Sequence, residues 1–360
     1  MSRRKDTKQG AVLVTGATGF LGKHLIESLR DPEGPEGSDA TRRTIRALVR
    51  TPTLHLERYG VDAAVGDVCR MDDCRAAMRG VSEVYHLAGR VARGGDADAA
   101  AGLYRLHVEG TRALLQAAAE AKVRRVVLVS TSGTIAVSRD PEIADESSPY
   151  RTETVRHWPY YLSKIYQEQV ATRLGEELKL DVVRVNPSLL LGPGDDRSSS
   201  TGDVSNVIRG RLPLIPKGGG VAFVDARDVA DGCVRAMRSG RAGERYLLSA
   251  ENVTLEKFLG RVARVAGVAS PRPWLETRYM RSASRLMDGM FRSLGVSSPL
   301  DTESLEMAEH YWYCSAEKAK EELGFKTRDP QLTVLDTVRD IQSRHNLLPK
   351  PATVSRMETT

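Results

Sequence analysis

The chain is poor in cysteine: Cys69, Cys74, Cys233 and Cys314 are the only four in 360 residues. They form no C-x-x-C pair and have no histidines at ligand spacing. That excludes a disulfide framework or a metal site and predicts reduced thiols in a cytoplasmic protein. Long apolar runs are missing as well, since none approaches the ~20 residues that cross a bilayer. Residues 1–10 are polar and lack an apolar h-region, so neither a signal peptide nor membrane insertion is expected. There is also no basic stripe: 53 Lys and Arg are scattered among 47 Asp and Glu, for a net charge of +6. Anionic small molecules suit that balance as well as nucleic acid does, and no nucleic-acid partner is expected.

What is present is ample apolar material, 41% of residues, in a chain longer than one typical domain. This predicts a large α/β core with a smaller second lobe, or two domains. The stretch Val12-Leu-Val-Thr-Gly16-Ala-Thr-Gly19-Phe-Leu-Gly22-Lys-His-Leu-Ile26 reads as a buried strand, a glycine turn and an apolar-periodic helix. Gly16 supplies the positive φ of a tight turn, Gly19 lets backbone approach a diphosphate, and Gly22 lets helix pack on strand. The helix N-terminus then offers free N–H groups and partial positive charge to a dinucleotide.

Strands and helices alternate regularly from there. Asp31 to Asp39 is a Pro/Gly/acidic loop. Thr44-Ile-Arg-Ala-Leu-Val-Arg50 is a second strand, ending in a base where an NAD site usually places an acid. Arg50 either pairs with the 2′-phosphate of NADP or is a solvated strand-end residue. Val61 to Asp67 is a short third strand. Its Asp67 either accepts from an adenine amino group or caps the helix at 70–79. A fourth strand, Val81 to Gly89, ends in Ala88 and Gly89, small enough for a cofactor to pass, and its His86 reads as a packed core residue. Leu103, Leu106, Leu114, Leu115 and Ala118 place a long amphipathic helix at 103–122. A β-branched fifth strand runs from Val123 to Ser132, a helix from Trp158 to about Leu178, and a sixth strand from Asp181 to Pro187.

Such alternation over about 130 residues predicts a doubly wound parallel sheet with ligands at the strand C-terminal ends. It fades at 191–220 and 251–345, while Val221 to Asp228 and Glu244 to Ser249 read as returns to the sheet. The expected division is a dinucleotide-binding domain at 11–190 with returns at 221–250, a discontinuous C-terminal substrate lobe at 191–220 and 251–345, and polar tails at 1–10 and 346–360.

Tyr160 and Lys164 stand four apart on a helix, one turn apart on one face. A phenol titrates near ~10, and a neighbouring ammonium and an oxidised nicotinamide both favour the phenolate, so Lys164 is expected to lower the pKa of Tyr160. Ser130, Thr131 and Ser132 close the fifth strand on the same crevice, where a hydroxyl can hold a substrate oxygen while Tyr160 moves the proton.

Together these residues resemble the short-chain dehydrogenase/reductase superfamily, in its extended, NAD-dependent epimerase/dehydratase branch, and most of all the dihydroflavonol-reductase-like and hopanoid-associated sugar-epimerase-like group. The likeness spans roughly residues 11 to 342 and continues through Asn186-Pro187, Leu191-Gly-Pro-Gly-Asp195, Phe223-Val-Asp-Ala-Arg-Asp228 and Ser315 to Gly324. It implies a Rossmann-type α/β fold, Ser132 as catalytic hydroxyl, Tyr160 as acid/base and Lys164 as its partner. Tyr161 is a neighbour in the wrong register, because only Tyr160 lies four residues before Lys164. The implied cofactor contacts are Thr15, Gly16, Thr18, Gly19, Phe20, Leu21 and Gly22 in the turn, then Arg50, Asp67 and Val68. Leu87, Ala88, Gly89, Tyr160, Lys164, Pro187 and Ser188 complete them. Dimerisation through exposed helices is expected by family analogy. His107 departs from the pattern, standing where many relatives have Asn, which bears on any proton relay there.

The leading expectation is an oxidoreductase that interconverts a ketone and a secondary alcohol, with NADP favoured over NAD. A nucleotide-sugar epimerase or dehydratase with retained NAD is the alternative, and Arg197, Arg209, Arg211 and Lys217 are candidates to hold its diphosphate. A third is a non-catalytic NADP-sensing or RNA-associated protein on the same fold. Met280, Met287, Met290 and Phe291 could form an apolar lid over a small-molecule substrate, with Trp274 and Tyr279 in the same wall.

Overall fold

Val12 and Val14 of β1 (Ala11–Thr15) join one apolar cluster and Leu13 joins another. Side chains alternate along a strand, so a strand apolar on both faces must be covered on both. The computed structural model describes residues 10–31, 33–34, 43–91, 97–212, 214–273 and 302–347. It contains β2 (Ile45–Val49), β3 (Asp62–Val65), β4 (Val81–His86), β5 (Arg125–Val129) and β6 (Val182–Pro187). With the strand Arg245–Leu248 they form a seven-stranded sheet in the order Arg245–Leu248, β6, β5, β4, β1, β2, β3, parallel throughout. Helices Phe20–Arg30 and Ala226–Ser239 bury their apolar residues on one face. Met71–Ala77, Gly110–Glu120 and Pro159–Glu177 cover the other. The strand order reverses between β1 and β4, which opens a crevice at their C-terminal ends.

Three expectations are corrected. The segment expected to return to this sheet at Val221–Asp228 does not join it. Its strand, Gly220–Asp225, is the centre of a second sheet, antiparallel to Glu251–Thr254 and parallel to Leu189–Leu191 and Tyr311–Trp312. An apolar strand buried on both faces carries the same local pattern in either sheet, so only Arg245–Leu248 is a true return.

The long helix expected at 103–122 begins earlier, at Ala97, and is interrupted by a π turn at Arg105–Glu109 before Gly110–Glu120. The wider turn brings His107 wholly inside. Finally, Asp67 does not cap the following helix, whose N-cap is Arg70. Its carboxylate instead accepts the Cys69 N–H at 2.9 Å, closing a local turn.

Met280, Met287, Met290, Phe291, Trp274 and Tyr279 fall outside the described residues, as do 1–9 and 348–360 of the two tails. Among the described residues no helix is long and apolar enough to cross a membrane.

Candidate active site

The turn after β1 is built for close approach. Gly16 has φ 73°, and a Cβ placed there would lie 2.7 Å from the Leu87 carbonyl carbon. A Cβ on Gly22 would come within 2.1 Å of the Gly16 carbonyl oxygen. Only glycine satisfies both positions. No side chain caps the helix Phe20–Arg30, and its first turn carries no acid, so its N–H groups and partial positive charge are left to an external anion. A dinucleotide diphosphate fits this cradle.

The turn opens into a cleft of about 1590 Å³. Gly16, Thr18, Gly19, Phe20, Leu21 and Gly22 line one end together with Arg50. Leu87, Gly89, Ser132, Tyr160, Lys164, Pro187 and Ser188 line the middle. Four selected residues lie outside this lining. Thr15 is fully buried behind it, its hydroxyl accepting the Ala88 N–H at 3.2 Å and pairing with His86 Nδ1 at 2.7 Å. Val68 packs into the core, Ala88 packs partly buried against the same cluster, and Asp67 accepts the Cys69 N–H through Oδ1.

Tyr160 and Lys164 sit near the start of the helix Pro159–Glu177, whose proline occupies its first turn. The Lys164 amine is enclosed and donates to the Val129 carbonyl at 3.1 Å and to Gln167 Oε1 at 2.8 Å. Burial pulls it down to about 8, and Glu168 works against that pull. Tyr160 moves opposite to expectation: burial, helped by the neighbouring Tyr161, raises its phenol above the ordinary value. Desolvation and not the Lys164 charge sets the direction, and the ammonium is turned toward Val129 and Gln167.

Gln167 continues inward through its amide to Thr111 Oγ1 at 2.8 Å, and Thr111 meets His86 Nε2 at 2.9 Å. His86 is thus a bonded core residue, as its strand position implied. Ser132 opens a 3₁₀ turn, separated from the end of β5 by Ser130 and Thr131, with Thr131 accepting the Gly133 N–H. Sequence reasoning missed Gln167 and Glu168, although their positions three and four residues after Lys164 put them on its face of the helix.

The far wall mixes an apolar patch with polar residues that include Asp203, Asn206, Glu303 and His310. Leu212, Ile215, Val221, Leu255, Phe258 and Trp312 form the apolar patch, and Trp312 packs on Tyr161 at 4.9 Å between ring centres. Of the four basic candidates in the second lobe, only Arg197 reaches this lining, and Arg209 donates to Ser205. The loop bearing Arg197 is tied to the first helix, Lys23 to Asp196 and His24 Nε2 to the Pro193 carbonyl at 2.9 Å.

Residues 12–249 match the NAD dependent epimerase/dehydratase family. A putative dihydroflavonol 4-reductase of Synechocystis is 30% identical over 92% of this chain and 94% of its own length. Sterol demethylase protein B of Methylococcus capsulatus is 33% identical over 78% and 82%. The crystal structure of gox2253 superposes with a TM-score of 0.79 at 30% identity, covering 94% of this chain and 99% of that one. With its seven-stranded parallel sheet, glycine cradle and matching relatives, the chain belongs to the NAD-dependent epimerase/dehydratase family of extended short-chain dehydrogenases/reductases.

Proposed function

We propose that the protein is an NAD(P)-dependent oxidoreductase interconverting a ketone and a secondary alcohol at Ser132, Tyr160 and Lys164. The observation that carries this is the meeting of those three side chains and the glycine cradle on one cleft. A bound nicotinamide supplies the hydride chemistry. The Tyr160 phenol, held protonated at neutral pH by burial, gives its proton to the carbonyl oxygen in the reducing direction. Ser132 holds that oxygen, and Lys164, titrating near 8, stays largely cationic at neutral pH. Arg50 at the cleft's adenosine end supports NADP as the preferred cofactor. The apolar patch on the far wall supports an uncharged ketone over a nucleotide sugar, for which Arg197 alone among the four basic candidates is in place.

The test is absorbance at the reduced-nicotinamide band while a panel of ketones is offered with NADPH and NADH in parallel. Consumption of NADPH supports this reading. Protein that purifies with tightly held NAD and turns over no added cofactor would replace it with an epimerase.

A further inference from the structure

Tyr160, Lys164 and Glu168 recur every four residues along the helix Pro159–Glu177, so one face presents all three. Glu168 is completely enclosed, at 0% exposure. A carboxylate in that position is costly unless both oxygens are bonded. Oε1 accepts the hydroxyls of Ser130 at 2.5 Å and Thr134 at 2.9 Å and the side-chain amide of Asn186 at 2.7 Å. Oε2 accepts the Tyr150 hydroxyl at 3.2 Å and faces Arg184 at 4.0 Å. Ser130 and Thr134 flank Ser132 by two residues on either side, and the Asn186 amide also donates to the Thr131 carbonyl at 3.0 Å. One carboxylate therefore fastens the Ser132 segment to the helix that carries Tyr160 and Lys164.

We infer that Glu168 is a positioning residue, setting the Ser132 segment against the Tyr160–Lys164 face and supporting the ammonium of Lys164 with its charge. The inference rests on the catalytic reading proposed above. Burial disfavours the Lys164 ammonium and Glu168 favours it. The other titratable groups around that amine do not replace this support. His86 of β4 and His107 of the π turn are held neutral, and Tyr160 is a neutral phenol. Around Glu168 itself, Arg184 of β6 lies at the edge of ion-pair distance, and Arg245 rests over the Tyr150 ring at 4.7 Å.

Two variants of the full chain separate the roles. Glu168→Gln keeps an oxygen for Ser130, Thr134 and Asn186 but removes the charge, whereas Ser130→Ala removes one fastening and keeps the charge. The first readout needs no substrate: ¹³C NMR titration of lysine Cε, with the Lys164 signal assigned by Lys164→Arg. Lys164 should lose its proton near pH 8 in the parent, at lower pH in Glu168→Gln, and at the parent's pH in Ser130→Ala. An unchanged midpoint in Glu168→Gln overturns the inference. The second readout is steady-state reduction, where Ser130→Ala should lower kcat by about 10- to 100-fold with the cofactor KM unchanged, the cost of a small misplacement. A kcat that falls only with the folded fraction, followed by circular dichroism, overturns it too. If the parent reduces no ketone, the catalytic reading fails by itself, and the NMR comparison alone decides the inference.

Discussion

His107 Nδ1 lies 2.8 Å from the Ser163 hydroxyl, while its Nε2 receives the backbone N–H of Arg90 at 3.2 Å. An amide can only donate, so Nε2 carries no proton and Nδ1–H donates to Ser163. Ser163 passes its own hydrogen to the Tyr160 carbonyl at 2.7 Å. The imidazole also stands edge-on to the Tyr160 ring, with centres 5.8 Å apart. His107 is therefore a neutral strut between the end of β4 and the helix of Tyr160, with both nitrogens engaged.

This makes the fold sensitive to mild acid. Burial, reinforced by the Lys164 charge, pushes His86 down to about 3 and His107 to about 2, from an ordinary value of 6.5. Between those values and 6.5 the unfolded chain binds more protons, so stability is complete above pH 6.5 and declines as pH falls below it. Each histidine contributes up to about 1.4 kcal/mol per pH unit. Urea unfolding at pH 7 and pH 5 should show the decline, with a smaller one in His107→Gln. Equal declines in parent and variant would contradict the assignment of His107 as neutral.

The glycine cradle makes a steric forecast. Gly22→Ala drives a methyl into the Gly16 carbonyl oxygen, 2.1 Å away, and should destabilise the protein by about 1–3 kcal/mol while abolishing NADPH binding followed by fluorescence. Gly260→Ala is the control. Beyond its own turn of helix backbone nothing lies within 4 Å of the added methyl, and it sits inside the helix Leu255–Ala266, so it should raise stability by about 0.5–1 kcal/mol.

Arg50 tests the cofactor preference. Replacing it with Glu removes a charge-assisted bond to a 2′-phosphate and adds repulsion, so kcat/KM with NADPH should fall about 10- to 100-fold while the value with NADH changes little. An unchanged NADPH to NADH ratio would make Arg50 a solvated strand-end residue.

The parts of this molecule that were legible in its sequence are those fixed by neighbours along the chain. The cradle needs Gly16 for its positive φ and Gly22 for its approach to the Gly16 carbonyl, and Tyr160 and Lys164 share a face because a helix turns every 3.6 residues. What escaped depends on distant partners. The direction of the Tyr160 shift follows from how deeply the folded chain encloses it, and helix spacing carries no information about that. Gly220–Asp225 has the apolar pattern of a main-sheet strand but pairs elsewhere, and the π turn that draws His107 inward leaves no periodic signature. Arg209 and Arg211 share the composition of Arg197, yet only Arg197 ends up on the cleft.

The central claim is that Tyr160 moves a proton in a site that binds a dinucleotide independently of it, and Tyr160→Phe tests this most directly. NADPH affinity by fluorescence and turnover of the best ketone should be measured on the same preparation. The account expects affinity within about twofold of the parent and turnover reduced by about 10²- to 10⁴-fold, the usual worth of a positioned acid. Full turnover in Tyr160→Phe would contradict it.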